Sequence, residues 1–460
     1  MTNELDVGLD LDGQTVQVGT AYVLTRRKVT TTGFTYDVDY LRNPFAYAID
    51  PGLPLDSGQG FVEGLPGSFV DCSPDTWGKR LIEKRIRASE GPGAPRFVTE
   101  VDYLLGVSDL TRQGALRFRV RGNDEYADPS PDVPKMVNLP EVLSASDRVA
   151  RGDTVDPADL SAIKVLLDAG TGTLGGARPK ASVVGDDGVL YIAKFPHPHD
   201  EWDVMAWEAT ALDLAEGAGI EVPRRTMTRI EGQAVLLLGR FDRSGKDRIS
   251  YMSAMTLVQG RDGGGSGARD YVELAAELAD VSAATDDDLR DLWRRVAFSV
   301  AIHNTDDHFR NHGFVHEGSG WRLSPAFDVN PNPDAAEDRT TGIAGAVARE
   351  EETDGLMANA PEFGLTERDA LGILSEVLDA TRAWREVATR NGCPASEIRR
   401  FEDAFEGLRD QMASRHLRAA PGGSTRGQLS RRRRGRSSPA SSSTSFTTLD
   451  RDKAHGVMLE

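Results

Sequence analysis

Three residues in the second half of the chain have the types and spacing that phosphoryl transfer needs. Asp306 and Asn311 lie in the polar run Asn304–Asn311, N-T-D-D-H-F-R-N, and Asp328 follows in F-D-V. Such a reaction needs a carboxylate to orient the attacking hydroxyl and oxygen ligands for Mg²⁺, commonly an Asn and a second Asp. The run follows an apolar helical stretch, Leu292–Ile302, and precedes two short runs, Gly313–His316 and Trp321–Leu323. Gly318–Ser319–Gly320 joins the two, which predicts a β-hairpin. A hairpin brings its ends together, so Asp328 is expected to return beside Asp306 and Asn311.

Other readings of this stretch stay open. His303, His308 and His312 with Asp306 and Asp307 form a set that Zn²⁺ or Fe²⁺ favours. Their spacing fits no HExxH pattern, and Asn311 and Asp328 would then have no role. A plain acidic surface loop is a third reading.

The elements that would position this chemistry lie upstream. Gly170–Val184, GTGTLGGARPKASVV, is a Gly-rich loop running into a strand, with Lys180 as a cation at its end. Its backbone can approach a phosphate closely. It lacks the GxxxxGK[ST] order of a Walker loop, and a strand after it argues against a dinucleotide fingerprint. Leu190–Phe195, LYIAKF, reads as a strand with Lys194 near its end, like the strand whose Lys grips nucleotide phosphates in kinases. Asp203–Ala218 has helical periodicity, Gly217 and Gly219 mark its end, and Glu208 within it could pair with Lys194. Gly219–Pro223 then restarts as a strand. Ala234–Phe241, AVLLLGRF, reads as a buried strand entering a hinge. Gly loop, Lys strand, Glu helix, hinge strand, Asp/Asn loop, hairpin and Asp follow the order of a kinase core.

Composition bounds the rest. At 460 residues there is length for two or three domains. No apolar run approaches the ~18 residues of a membrane span. The acidic start MTNELDVGLDLDG shows no signal-peptide pattern. With Cys72 and Cys393 as the only cysteines, a reducing cytoplasm is expected rather than a disulfide framework. A formal charge of −18 disfavours general nucleic-acid binding, since phosphate affinity comes from Lys and Arg.

Residues 1–125 read as a small β-rich domain with helices: a hairpin over Leu5–Leu24, a strand at Phe34–Tyr40, and a helix at Trp77–Arg87 capped by Ser73 or Asp75. No chemistry is apparent there, and Trp77 and Arg80 read as packing and surface. Residues 126–258 hold the Gly loop, Lys strand and hinge. Residues 259–418 hold the Asp/Asn motifs in a helical lobe, including one helix over Ala395–Arg415 with Phe401, Phe405, Leu408 and Met412 on one face. Residues 419–460 turn to Ser, Gly and Arg, with four arginines at Arg431–Arg434, and read as a disordered tail.

These residues resemble the HipA family of serine/threonine kinases, the toxin half of bacterial toxin–antitoxin pairs. The specific pieces are TLGGARPK at Thr173–Lys180, IAKFP at Ile192–Pro196, RFDR at Arg240–Arg243, NTDDHFRN at Asn304–Asn311 and LSPAFDV at Leu323–Val329. LPGSFVDCSPDTWGKRLI and YLLGVSDLTRQGALRF resemble the family's N-terminal domain.

The resemblance implies an α+β, kinase-like fold with a small β-rich N-terminal domain and a largely helical C-terminal lobe. It makes Asp306 the catalytic base and Asn311 and Asp328 the Mg²⁺ ligands. Lys194 would contact the phosphates of ATP. Gly175, Gly176, Ala177, Arg178, Pro179 and Lys180 would cover the nucleotide. Gly239, Arg240 and Phe241 would form the adenine hinge, with His308 near the nucleotide. Thr173 takes the place of the family's autophosphorylated Ser, and Gly239 departs from a larger, often acidic, hinge residue. The implied partners are a helix-turn-helix antitoxin of HipB type, DNA only through that antitoxin, and a protein substrate such as an aminoacyl-tRNA synthetase. A kinase-fold co-repressor scaffold without turnover and a small-molecule kinase are the alternatives.

Overall fold

A computed structural model describes residues 2–11, 13–27, 29–90, 97–127, 133–151, 157–169, 178–260 and 269–419. Gly170–Ala177 and the segment from Ala420 onward, including Thr173, Gly175, Gly176, Ala177 and Arg431–Arg434, lie outside them.

The chain begins with an antiparallel sheet in the order β4-β3-β2-β1-β5. Its strands are β1 (Thr2–Leu11), β2 (Gln14–Arg26), β3 (Val29–Tyr36), β4 (Gln59–Glu63) and β5 (Leu116–Val120). Alternation at Leu5, Val7 and Leu9 turns one face of β1 to the core. Four helices accompany the sheet: α1 (Val38–Leu41), α2 (Gly67–Asp71), α3 (Thr76–Glu90) and α4 (Glu100–Leu105). The strand expected at Phe34–Tyr40 therefore stops at Tyr36. Asp37 there caps α1 by accepting from the amide of Asp39.

Helices α5 (Leu139–Arg151) and α6 (Pro157–Asp168) lead into a second antiparallel sheet, ordered β6-β7-β9-β8. It comprises β6 (Lys180–Val184), β7 (Leu190–Lys194), β8 (Arg225–Ile230) and β9 (Gln233–Gly239), with α7 (Val204–Gly217) inserted after β7. Trp77 and Leu81 of α3 share one core with Leu143, Ile163, Val183, Tyr191 and Leu237. A helix inserted between β4 and β5 of the first sheet thus packs under the second. Gly219–Pro223 is not the expected strand. Gly219 has φ +79°, and β8 starts only after Pro223, which has no N–H to give a ladder.

The rest is largely helical. A hairpin of β10 (Arg243–Ser244) and β11 (Asp247–Arg248) precedes β12 (Tyr251–Ser253) and α8 (Ala254–Leu257). Then come β13 (Arg269–Asp270), α9 (Tyr271–Val281) and α10 (Thr285–Ala301). Strands β14 (Gly313–Glu317) and β15 (Gly320–Leu323) form the expected hairpin, with Phe314 opposite Leu323 and His316 opposite Trp321. Gly318 has φ +60° while Ser319 stays at negative φ, as a type II′ turn requires. β16 (Thr341–Gly342) pairs with β13, and β12 adds to the edge of β14.

Six helices close the lobe: α11 (Glu352–Asn359), α12 (Glu367–Thr381), α13 (Trp384–Arg390), α14 (Ala395–Arg400), α15 (Glu402–Glu406) and α16 (Arg409–Ala419). The single helix expected over Ala395–Arg415 is therefore three, broken at Phe401 and around Gly407. Phe401, Phe405, Leu408 and Met412 are nevertheless all buried. The break lets Phe401 stack on Trp207 of α7, rings 3.8 Å apart. That contact ties the Glu208 helix to the helical lobe.

Candidate active site

Asp306, His308 and Asn311 sit on a loop leaving α10, and that loop is fixed from beneath. Phe309 is buried in the lobe core. The next anchor is Asp307, which accepts from Tyr271 Oη at 2.5 Å and pairs with His312 Nε2 at 2.9 Å. Burial opposes its ionisation, but His312 and these hydrogen bonds outweigh it and hold the carboxyl below the usual range. Thr341 Oγ1 donates to the Asp307 carbonyl at 2.7 Å. Below that, Arg339 bridges Ser299 and Glu352. Asp306 itself points outward and is exposed. Its carbonyl accepts from Asn311 Nδ2 at 3.0 Å, which closes the loop on itself. Partial desolvation raises the Asp306 carboxyl, His308 opposes this, and Asp328, Asp307 and Glu337 add to it.

The hairpin returns Asp328 to this loop, as expected. Asp328 has φ +57°, a left-handed conformation uncommon outside Gly, Asn and Asp. Its Oδ1 lies 2.9 Å from Lys194 Nζ, and the same ammonium lies 2.6 Å from Glu208 Oε1. Burial would depress the Lys194 ammonium, but Asp328 and Glu208 raise it above its ordinary value. Burial likewise pushes Glu208 up against the pull of Lys194. The Lys194 ammonium thus lies between two carboxylates, Glu208 and Asp328. Strand β7 lies inside the sheet and α7 is buried on nearly all sides, so both partners stand on rigid elements.

Two connected hollows meet at Lys194, Arg310, Asn311 and Asp328. One is a mostly apolar slot lined by Ile192, Pro223, Leu238, Phe241 and Phe327. The other is a wider, polar cavity of about 470 Å³, open to solvent, which contains Asp306, His308 and Asn330. Buried atoms His308 Nδ1 and Asn330 Oδ1 on its wall have no hydrogen-bond partner among the described residues. An apolar slot opening onto a polar chamber with unsatisfied groups fits a nucleotide with its phosphates in the chamber. Asn311 and Asp328 supply the hard oxygen donors that Mg²⁺ takes alongside phosphates. Among the described residues no group of three or more His, Cys, Asp or Glu is placed to hold a metal ion, which removes support from the histidine-metal reading.

The other expected residues are described in part. Arg178 is held by Asp200 at 2.5 and 2.7 Å, and the Pro179 carbonyl accepts from the Phe195 amide. Lys180 is buried against Asp75 at 2.7 Å. Gly239 and Arg240 line the slot with Phe241. Their amides already donate to Arg224 and Leu190 carbonyls. The Arg240 guanidinium is turned away to Asp242 and the Thr111 carbonyl. A Cβ at Gly239 would meet ordinary contacts from 3.5 Å, so packing does not demand a glycine there.

Sequence reasoning missed the far wall of the cavity. Asp71, Ser73, Asp75, Thr76, Lys79 and Gln113 line it, all from the N-terminal region where no chemistry was apparent. The one available signal was Asp75 as a helix cap: its Oδ1 accepts from the Gly78 amide at 2.7 Å, which decides between Ser73 and Asp75.

Residues 172–384 match the family model of the HipA-like C-terminal domain. The chain carries a HipA-like C-terminal domain. The fold as a whole is similar to that of Shewanella oneidensis MR-1 HipA, solved with HipB and operator DNA. The TM-score is 0.64 at 16% identity, covering 90% of this chain and 97% of that one. A Helicobacter pylori proinflammatory kinase, CtkA, aligns with a TM-score of 0.37 at 12% identity, over 53% of this chain and 92% of that one. No curated protein matches the chain. The likeness to HipA shows an α+β fold, with a β-rich start and a helical end. No helix among the described residues is long and apolar enough to cross a membrane.

Proposed function

We propose that this HipA-like protein is an ATP- and Mg²⁺-dependent serine/threonine protein kinase and the toxin member of a toxin–antitoxin pair. The observation that carries the reading is the Glu208–Lys194–Asp328 chain of charges beside Asp306 and Asn311, opening onto one apolar slot. The slot takes the adenine, against Ile192, Leu238, Phe241 and Phe327. Lys194 meets the phosphates. Asn311 and Asp328 hold Mg²⁺, which supplies charge neutralisation at the transferring phosphoryl group.

Asp306 accepts the proton of the acceptor hydroxyl as its oxygen bonds to the γ-phosphorus and the bond from that phosphorus to the departing ADP breaks. A raised carboxyl is better matched to that task than an ordinary Asp. Fixed positions for Asp306, through Asp307, and for Lys194, through Glu208, supply the orientation on which this chemistry depends. The family relationship favours an acceptor such as an aminoacyl-tRNA synthetase, and a HipB-type antitoxin that tethers the kinase to DNA.

The test is transfer from γ-labelled ATP into protein extract and into a panel of small metabolites, with Asp306→Ala in parallel. Label in protein with wild type alone supports the reading. Label in metabolites alone moves the assignment to a small-molecule kinase. No label, with ATP still bound, leaves the scaffold reading.

A further inference from the structure

Two ion pairs reach from the N-terminal region to opposite sides of the polar cavity. Asp71, the last residue of α2, accepts from the Ser253 amide at 2.8 Å and its hydroxyl at 2.7 Å, and lies 3.5 Å from Arg310 Nη1. Arg310 precedes Asn311 on the catalytic loop and lines both hollows. Asp75 opens α3. One of its oxygens caps the helix and the other holds Lys180 Nζ, with side chains only 2% and 3% exposed. Lys180 stands just after the Gly-rich loop and opposite Lys194 in the sheet.

We propose that the α2–α3 corner is a positioning clamp on the phosphoryl-transfer site, with Asp71 setting the catalytic loop through Arg310 and Asp75 setting the stem of the Gly-rich loop through Lys180. The inference rests on the kinase reading. Asp71 and Asp75 are positioning residues that act through the two cations. Simple adhesion of the N-terminal region does not need them. Arg243 Nη2 already donates to the Arg112 carbonyl at 2.6 Å, and Arg248 Nη2 to the Asp109 carbonyl at 2.7 Å. Gly114 donates to Asp242 at 2.7 Å. None of those residues lines the polar cavity, whereas both clamp pairs end on cations that do.

The two pairs therefore predict different kinetic signatures. Asp75→Asn releases Lys180 at the start of β6, on the wall of the polar cavity, so KM for ATP rises about tenfold or more with a smaller change in kcat. Asp71→Asn releases the catalytic loop, so kcat falls about tenfold or more with KM for ATP held. Arg310→Gln, at a partly exposed position, reproduces the Asp71→Asn profile should that variant fold poorly. Arg248→Gln is the adhesion control and lowers stability without splitting KM from kcat.

The experiment measures binding of the fluorescent probe mant-ATP with Mg²⁺ and steady-state transfer, on the full chain. A wild type that binds no mant-ATP overturns the kinase reading and the clamp together. A wild type that binds and transfers, with clamp variants that match it or that behave like Arg248→Gln, overturns the clamp alone. The split between the two variants, with wild type active, supports it.

Discussion

Lys180 and Lys194 stand directly opposite each other across the antiparallel pair β6–β7. Like charges in such a register repel. Each is answered by carboxylates from a separate part of the chain: Asp75 for Lys180, and Glu208 with Asp328 for Lys194. The sheet thereby presents two compensated cations toward one cavity, and their joint field falls on Asp328. Burial works against ionisation of Asp328, but Lys194 and Lys180 outweigh it and bring the carboxyl down to about 2.

That shift has a sign that can be tested. The folded value lies below that of an unfolded Asp, so ionised Asp328 contributes stability above about pH 4, and the contribution is lost as pH falls from about 4 toward 2. Asp328→Asn removes this component. Denaturant midpoints of the wild type are expected to fall more steeply than those of Asp328→Asn between about pH 4 and about pH 2. Parallel slopes would show that Asp328 is not depressed.

Lys194→Met leaves Glu208 and Asp328 facing each other without their cation. Breaking a buried pair in this way costs about 3–5 kcal/mol, so a large drop in thermal midpoint is expected along with loss of nucleotide binding. Glu208→Gln keeps an acceptor 14 residues along from Lys194 and leaves Asp328 in place. It is expected to stay folded and to lose turnover more than stability. Equal stability losses in both variants would contradict this division of labour.

Asp306 is exposed and makes no structural anchor through its carboxylate comparable to that of Asp307. Asp306→Asn is therefore expected to fold and bind mant-ATP like the wild type. Phosphate transfer should fall by about 10²–10⁴, the range for removing a general base. Retained transfer would mean that Asp306 is not the base.

Tyr271→Phe removes one of the two hydrogen bonds on the Asp307 carboxylate and leaves His312 in place. A hydrogen bond to a charged group is worth about 1.5–3 kcal/mol. The denaturation free energy is expected to fall by that amount, and transfer to fall with it, because the loop that carries Asp306 loses an anchor. A stability loss with unchanged transfer would show that the loop is held well enough by His312 and Thr341.

The catalytic half of this design was legible because it is local. The residues from Ala301 to Asn330 encode a helix end, a loop, a type II′ turn at Gly318 and a return to Asp328, all within one supersecondary unit. Glu208 was within reach because it sits in a largely apolar helical run that Gly217 and Gly219 end. Asp71 and Asp75 were not, because their partners Arg310 and Lys180 are more than a hundred residues away and nothing local marks a carboxylate that serves two roles. The Ala395–Arg415 segment failed for a related reason. Helical spacing of Phe401, Phe405, Leu408 and Met412 records burial, and three short helices around Gly407 bury the same side chains as one long helix would.

Thr173 lies outside the described residues, so its role is a matter for measurement. It precedes Gly175 and Gly176 in the Gly-rich loop, where the family resemblance sets a phosphoacceptor. A phosphate on it would add about two negative charges to the segment that leads into Arg178 and Lys180. The family resemblance implies that this modification switches the activity off. Incubation with Mg²⁺ and ATP, followed by intact mass and peptide mapping, should show one phosphate on Thr173 in the wild type and none in Asp306→Ala. Thr173→Ala should remain active for longer in a time course of transfer. A phosphate elsewhere, or a Thr173→Ala time course that decays like the wild type, removes self-inactivation through this residue and leaves the kinase chemistry of Asp306 untouched.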